Sequence, residues 1–260
     1  MRQVVEFFNE RGSNVYIASL DASKAYDRVN HFKLYTTLIK RSIPMFIVNL
    51  IVNWYSKLSI VVRWNGHDSA SLRVLSSVRQ GGVLSPVLFN MYFNCMFNHL
   101  RLTDYGCHIE NKFIAAIGYA DDLLLISAGV VHLQRMLDKC GEVGLKIGIK
   151  FNSNKSLCLC IGPCKYESMP VMYINGSPMM WSNKIKYLGI LIPAGVRWRV
   201  DFTETRCKFF VAVNSILNKC NSTSDLVKLK LMETQCLPIL LYSVESLNIK
   251  NDELRSINSW

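Results

Sequence analysis

The sequence predicts an α+β fold, a mixed core of strands and helices followed by a smaller helical part. Three observations carry this reading. Short β-branched, apolar runs stop at polar clusters, as residues 15–20 do at Asp21, Ser23 and Lys24. Asn65-Gly66 and Asn175-Gly176 are strong two-residue turn signals. Beyond Pro193 the apolar spacing becomes helical.

Taken in order, residues 15–20 read as a buried strand that presents Asp21 at its end. Residues 31–40 show helical spacing at Phe32, Tyr35, Leu38 and Ile39, and a second helix starts at Pro44 and runs to about Tyr55. Residues 58–64 alternate, turn at Asn65-Gly66 and return as residues 71–78. After Gly81-Gly82, Ser85-Pro86 opens a helix with a wide apolar face that includes Leu88, Tyr92, Met96 and Leu100. Apolar runs at 113–117 and 123–126 then flank Tyr119-Ala120-Asp121-Asp122 as strand, turn and strand. An amphipathic helix follows at 131–140, then short strands at 157–161, 171–174 and 186–191. Helices at 202–218 and 224–236, parted by Asn221-Ser222-Thr223, complete the pattern.

Composition sets the outer bounds. A chain of 260 residues that is 50% hydrophobic can bury a sizeable core, which excludes intrinsic disorder. A net charge of +11 and a pI near 9.2 favour a polyanionic partner, either nucleic acid or an anionic membrane surface. Nine cysteines at irregular spacing read as reduced thiols. The one tight group, Cys158, Cys160 and Cys164, has no nearby histidine or fourth cysteine, so alternation along a strand is the plainer reading than zinc. The five histidines show no ligand spacing and read as structural or surface groups. The most hydrophobic stretch, residues 45–62, is interrupted by Asn49, Asn53 and Lys57, so a soluble protein without a membrane span is expected.

The chemistry is carried by carboxylates. Asp21 ends one apolar run, and Asp121 and Asp122 stand at the turn between two others. Magnesium takes hard oxygen ligands, and two ions about 3.5–4 Å apart can clamp the attacking and leaving oxygens of an in-line displacement. Three rigidly mounted aspartates suit that task. Asp27, on the helix side of the turn, reads as a cap or an ion-pair partner instead of a ligand.

Five segments occur in a telling order: Asp21 to Asp27; Arg79-Gln80-Gly81-Gly82 through Asn90; Tyr119 to Asp122; residues 144–155 ending near Phe151-Asn152-Ser153-Asn154-Lys155; and Lys186-Tyr187-Leu188-Gly189. In this order the chain resembles the reverse transcriptase domain of non-LTR (LINE-type) retrotransposons, matching motifs A to E. The resemblance implies a right-hand polymerase palm, an antiparallel sheet with helices on one face, over residues 1–192, and a partial helical thumb over 193–260. It implies an RNA-directed DNA polymerase that joins a dNTP to a DNA primer end on an RNA template. Asp21, Asp121 and Asp122 would be the catalytic and metal-binding carboxylates for two Mg²⁺ ions, with Mn²⁺ as a substitute.

By the same resemblance, Tyr26 would be the aromatic gate that excludes a ribose 2′-hydroxyl. Gln80 and Gly81 would form the small-residue turn beside the nucleotide and template, and Lys155 would serve the leaving pyrophosphate. Tyr187, Leu188 and Gly189 would be the primer grip. In the helical part, seven Lys/Arg between Arg197 and Cys236 against four Asp/Glu offer a mild excess for phosphate contacts. Only twenty residues precede Asp21, so the fingers are expected to be largely missing and the chain to be a fragment. An inactive nucleic-acid-binding remnant is therefore the alternative reading. The resemblance further implies an intracellular, nuclear or ribonucleoprotein-associated setting.

Overall fold

The computed structural model describes residues 1–163 and 169–242, in two compact units. Of the described residues, the first comprises those of Met1–Ser182 and Gly195–Arg197, and the second those of Asn183–Ala194 and residues 198–242.

In the first unit, α1 (Arg2–Asn9) leads into β1 (Val15–Asp21), and five of the seven residues of β1 are buried. A single 3₁₀ turn (Tyr26–Arg28) follows, then α2 (His31–Lys40) and α3 (Met45–Ser56). The cap of α2 is Asn30, whose side chain accepts from the Lys33 N–H at 3.0 Å. Asp27, expected as a cap or ion-pair partner, lies inside the 3₁₀ turn and makes no ion pair among the described residues.

The expected hairpin after α3 is a nested ribbon of short strands. β2 (Ser59–Ile60) pairs with β5 (Leu72–Arg73), and β3 (Arg63–Trp64) pairs with β4 (His67–Asp68) across Asn65-Gly66. Next come α4 (Ser85–Arg101), the small hairpin β6 (His108–Ile109) with β7 (Lys112–Phe113), and then β8 (Ala116–Tyr119) and β9 (Asp122–Ser127). Helix α5 (Val130–Ile147) runs seven residues past its expected end. Gly141 and Gly144 lie inside it, where packing outweighs a propensity cost of about 1 kcal/mol for each. Strands β10 (Leu157–Ile161), β11 (Met172–Ile174) and β12 (Ser177–Trp181) complete the unit.

Six of these strands form one sheet in the order β11-β12-β10-β1-β9-β8. Every neighbouring pair is antiparallel except β10 and β12, which run parallel. Strands β1 and β9, with partners on both sides, are nearly continuous apolar runs, as burial on both faces requires. Helix α5 packs on β1, β9 and β11, α4 packs on α5, and α2 packs on α4. Tyr16, Ile17, Leu20 and Leu123 to Ile126 on the sheet, and Leu133, Met136, Leu137 and Cys140 on α5, are all at most 1% exposed. Burying each such large side chain contributes about 1.5–3 kcal/mol.

In the second unit, residues 186–191 are not one strand, as the sequence suggested, but parts of a hairpin. β13 (Lys184–Tyr187) and β14 (Ile190–Pro193) meet across Leu188-Gly189, which take φ of 48° and 81°. Both signs are positive, as a type I′ turn requires. Leucine is an uncommon occupant of that conformation, which hides the turn in the sequence. The hairpin is tied to the helices: the Asp201 N–H donates to the Leu191 carbonyl at 2.9 Å, and Lys186 pairs with Glu204 at 3.1 Å. It therefore belongs to this unit and not to the sheet unit. α6 (Thr203–Lys219) and α7 (Asp225–Leu231) follow, and a π turn (Met232–Cys236) joins α7 to α8 (Leu237–Leu241). No helix among the described residues is long and apolar enough to cross a membrane.

Candidate active site

The carboxylates meet because two buried strands end together. Asp21 is the last residue of β1 and Asp122 the first of β9, and the register makes them direct cross-strand partners. Facing residues in an antiparallel pair lie about 4.5–5.5 Å apart at Cα. Like charges placed so are destabilising. The Asp122 carboxyl is accordingly held above the ordinary aspartate range, first by partial burial, then by Asp121 and by Asp21. The three acids thus share one field.

Asp121 occupies the tight turn between β8 and β9, whose closing pair is Tyr119 and Asp122. Ala120 beside it takes φ 53°, a left-handed conformation that costs a non-glycine residue about 1–2 kcal/mol. Gly118, one turn-length back on β8, has no room for a side chain: a Cβ there would lie 2.3 Å from Phe97 Cζ. Phe97 continues an aromatic column on α4. Phe93 meets it edge-on at 6.0 Å, Phe89 stacks on Phe93 at 5.6 Å, and Tyr26 stacks on Phe89 at 4.6 Å with planes 13° apart. The column joins the expected gate residue to the aspartate hairpin. Burial, then Asp121 and Tyr119, push the Tyr26 hydroxyl above its ordinary pKa, which places that ring within the field of the site.

The end of β1 is braced from the other side by residues 150–156. The Asn152 N–H donates to the Asp21 carbonyl at 2.9 Å, and the Ser23 N–H donates to the Lys150 carbonyl at 2.9 Å. Ser156, fully buried, accepts from the Asp21 N–H through its Oγ at 3.1 Å. Lys155 sits exposed in this same turn, with its N–H on the Asn152 carbonyl at 3.2 Å. The role of Ser156 is not visible in the sequence, because a lone serine carries no signal until its partner is known.

Gln80 and Gly81 are the central residues of a turn closed by the Gly82 N–H on the Arg79 carbonyl at 3.1 Å. Gly81 takes φ 78°, as the third position of a type II turn demands. The turn sits against α3: the Tyr55 side chain is buried there, and Ser85 and the Arg79 backbone counter part of the rise that burial gives its hydroxyl. Trp54, Tyr55, Leu58, Arg79, Gln80 and Gly81 line part of a cleft of about 630 Å³. Tyr187, Leu188 and Gly189 form the turn end of the β13–β14 hairpin in the second unit. There Gly189 faces the Tyr242 ring, 2.4 Å from where its Cβ would be.

Among the described residues, no three His, Cys, Asp or Glu side chains are gathered into a ready-made metal cage. The donor set nevertheless fits a divalent ion. The facing Asp21 and Asp122 and the adjoining Asp121 offer hard oxygens, and their mutual repulsion is the kind a cation relieves. Magnesium is commonly bound by one or two carboxylates together with substrate phosphates instead of an all-protein cage. Cys158 and Cys160 alternate along β10, and burial pushes the Cys158 thiol up to about 12; Cys164 lies outside the described residues. His31 and His99 bond to the carbonyls of Ser77 and Cys95, each at 2.8 Å, which is a structural role.

Known proteins share this order of features. The profile of the reverse transcriptase (RNA-dependent DNA polymerase) family matches residues 1–192. The chain is 30% identical over 199 residues to the retrovirus-related Pol polyprotein from a type-2 retrotransposable element of Drosophila melanogaster, an alignment covering 73% of this chain and 18% of that protein. It is 27% identical over 236 residues to the RNA-directed DNA polymerase from mobile element jockey of Drosophila funebris, covering 87% of this chain and 25% of that one. The chain thus spans a quarter or less of the length of these relatives. Among solved structures, telomerase from Candida tropicalis in complex with a fragment of telomeric RNA aligns with a TM-score of 0.55 at 15% identity, over 99% of this chain and 43% of that one, which is a likeness of fold. With the profile spanning the whole motif series and the relatives drawn from non-LTR retrotransposons, the chain belongs to the reverse transcriptase (RNA-dependent DNA polymerase) family.

Proposed function

We propose that this chain is the catalytic palm, with part of the thumb, of an RNA-directed DNA polymerase that extends a DNA primer with dNTPs on an RNA template. One observation carries the reading: Asp21 faces Asp122 across β1 and β9, with Asp121 in the adjoining turn, at the less buried end of two largely buried strands. Reverse transcriptases generally use divalent metal ions. In this chain Asp21 and Asp121, with Asp122 beside them, would hold two Mg²⁺ ions, with Mn²⁺ able to replace them. Bound there, such ions lower the pKa of the primer 3′-hydroxyl and offset charge on the triphosphate.

The remaining residues orient the substrates. Tyr26, stacked on Phe89 on one face, offers its ring as a floor under the sugar and leaves no space for a 2′-hydroxyl. Gln80 and Gly81 present backbone to the nucleotide and the template base. Lys155, on the turn that braces Asp21, supplies a cation for the departing pyrophosphate. Tyr187, Leu188 and Gly189 support the primer backbone. The Candida telomerase neighbour is described in complex with an RNA fragment, which supports a nucleic-acid partner for a chain of this fold.

The test is incorporation of labelled dTTP on poly(rA)/oligo(dT) with Mg²⁺, comparing the parent chain with Asp121→Ala. A fall of at least a hundredfold is expected, the order seen when one preorganised electrostatic contact to a transition state is removed. Equal incorporation by both chains would sink the assignment. Binding of the hybrid by a folded parent that incorporates nothing would instead favour the inactive remnant.

A further inference from the structure

The positive charge of this chain is not spread evenly. Between Asp27 and Asp104 there are nine Lys/Arg and one acid, Asp68, so residues 28–103 hold +8 of the net +11. That one acid is already engaged: Arg63 grips Asp68 through Nε at 2.6 Å and Nη2 at 2.8 Å. None of the other eight cations of the stretch pairs with an acid among the described residues. The seven cations of residues 197–236 differ, since Lys208, Lys228 and Lys230 each pair with a neighbouring Asp or Glu.

Within the basic stretch the β2–β5 ribbon stands out. Every residue from 59 to 73 is exposed. The ribbon has two strands and no third partner, a construction of marginal stability on its own. At its tip Trp64 is 81% exposed and pairs across the strands with His67. Lys57 and Arg73 flank its base, and Leu58, at that base, lines the cleft with Trp54, Arg79 and Gln80. The return leg is anchored on the 3₁₀ turn of Tyr26 and the residue that caps it: the Val78 N–H donates to the Tyr26 carbonyl at 2.8 Å and the Ser77 N–H to the Val29 carbonyl at 3.0 Å. An exposed tryptophan among cations without acidic partners, rooted between the gate residue and a cleft, is the pattern that holds unpaired nucleic acid by base stacking and phosphate contact.

We infer that the ribbon of residues 58–74 is a binding arm for an unpaired RNA strand, stacking a base on Trp64 and holding phosphates with Lys57, Arg73 and Arg79 without reading sequence. The inference rests on the polymerase reading only in calling that strand the template. The apolar side chains of the ribbon, Ile60, Val61 and Val62, make a protein cover the rival occupant, and charge decides against it.

The test is fluorescence anisotropy of the full chain with a labelled 20-nucleotide oligo(U) and with an RNA duplex of the same length. Measurement in EDTA without dNTP separates arm binding from catalysis, which the Asp121→Ala comparison tests independently. Trp64→Ala, on an exposed side chain, should weaken oligo(U) binding roughly tenfold and leave the duplex unchanged. Lys57→Ala with Arg73→Ala should flatten the salt dependence by about 1.4 in log–log slope, roughly 0.7 for each single-strand phosphate that is no longer neutralised. Unchanged oligo(U) affinity in Trp64→Ala would overturn the inference. So would a parent chain that self-associates in sedimentation through an interface that Trp64→Ala abolishes while RNA binding persists.

Discussion

Two hairpins of this chain have the same outline and opposite construction. The aspartate hairpin, β8 and β9, turns at Ala120-Asp121; the tip of the ribbon, β3 and β4, turns at Asn65-Gly66. The ribbon uses the turn residues that adopt positive φ without strain, at 47° and 81°, and it has nothing packed over it. The aspartate hairpin instead sets an alanine at φ 53° and crowds carboxylates together, which is tolerated because five of the six residues of β9 are buried. Strain and like charge collect where surrounding packing can hold them in place. An uncovered element has no such reserve and must be locally relaxed.

The contrast is tested most strongly at Gly118. Gly118→Ala pushes a methyl group against the Phe97 ring, and overpacking of this kind costs about 1–3 kcal/mol. The urea midpoint should fall accordingly, and incorporation should fall with it, because Phe97 belongs to the column that ends at Tyr26. Trp64→Ala, on the ribbon, should leave the same midpoint in place. Similar destabilisation by the two substitutions would break the distinction between a braced and an unbraced hairpin.

An effect no larger is expected at Ser156. Ser156→Ala leaves the Asp21 N–H without its Oγ acceptor in a buried setting, at a cost of about 1–3 kcal/mol for an unmet donor. Ser156→Thr keeps the acceptor, so it should restore incorporation more than stability, since its extra methyl enters a fully buried site. If Ser156→Ala altered stability without touching incorporation, the bracing of Asp21 would be structural only.

How far the sequence could be read follows from the same contrast. Strand β10 coincides with its expected span, and β1 extends it by only Asp21, because continuous apolar runs bounded by polar clusters have one plausible burial. The carboxylates were legible because they interrupt those runs. The turn of the β13–β14 hairpin was not legible in the local pattern, since Leu188 and not asparagine takes the left-handed position. Nor was the column from Tyr26 to Phe97, which joins residues far apart in sequence on two elements whose packing no local pattern specifies. The charge segregation was present in the sequence, but a whole-chain total of +11 averages it away, and attention to the helical part finds seven cations of which three, Lys208, Lys228 and Lys230, pair with their own neighbours.

The finest test concerns the cost of the crowded carboxylates. The Asp122 carboxyl is shifted upward in the folded chain, so folded protein binds that proton more tightly than unfolded protein does. Stability from this group is therefore greatest at low pH and is lost as pH rises from the ordinary aspartate value of 3.8 through the raised folded value. At neutral pH the ionised group works against folding, the reverse of a salt-bridged aspartate. Asp122→Asn removes the charge while keeping the shape, so at pH 7 its urea midpoint should lie slightly above that of the parent. The gain should shrink as pH falls and vanish below 3.8, where the carboxyl is protonated in folded and unfolded chain alike. Added Mg²⁺ should narrow the pH 7 gap by stabilising the parent more than the variant, since only the parent has the full set of charges to neutralise. A variant less stable than the parent at pH 7 without metal would mean that Asp122 is held by a favourable partner, and that the sheet end is not the charge-strained region the contrast makes it.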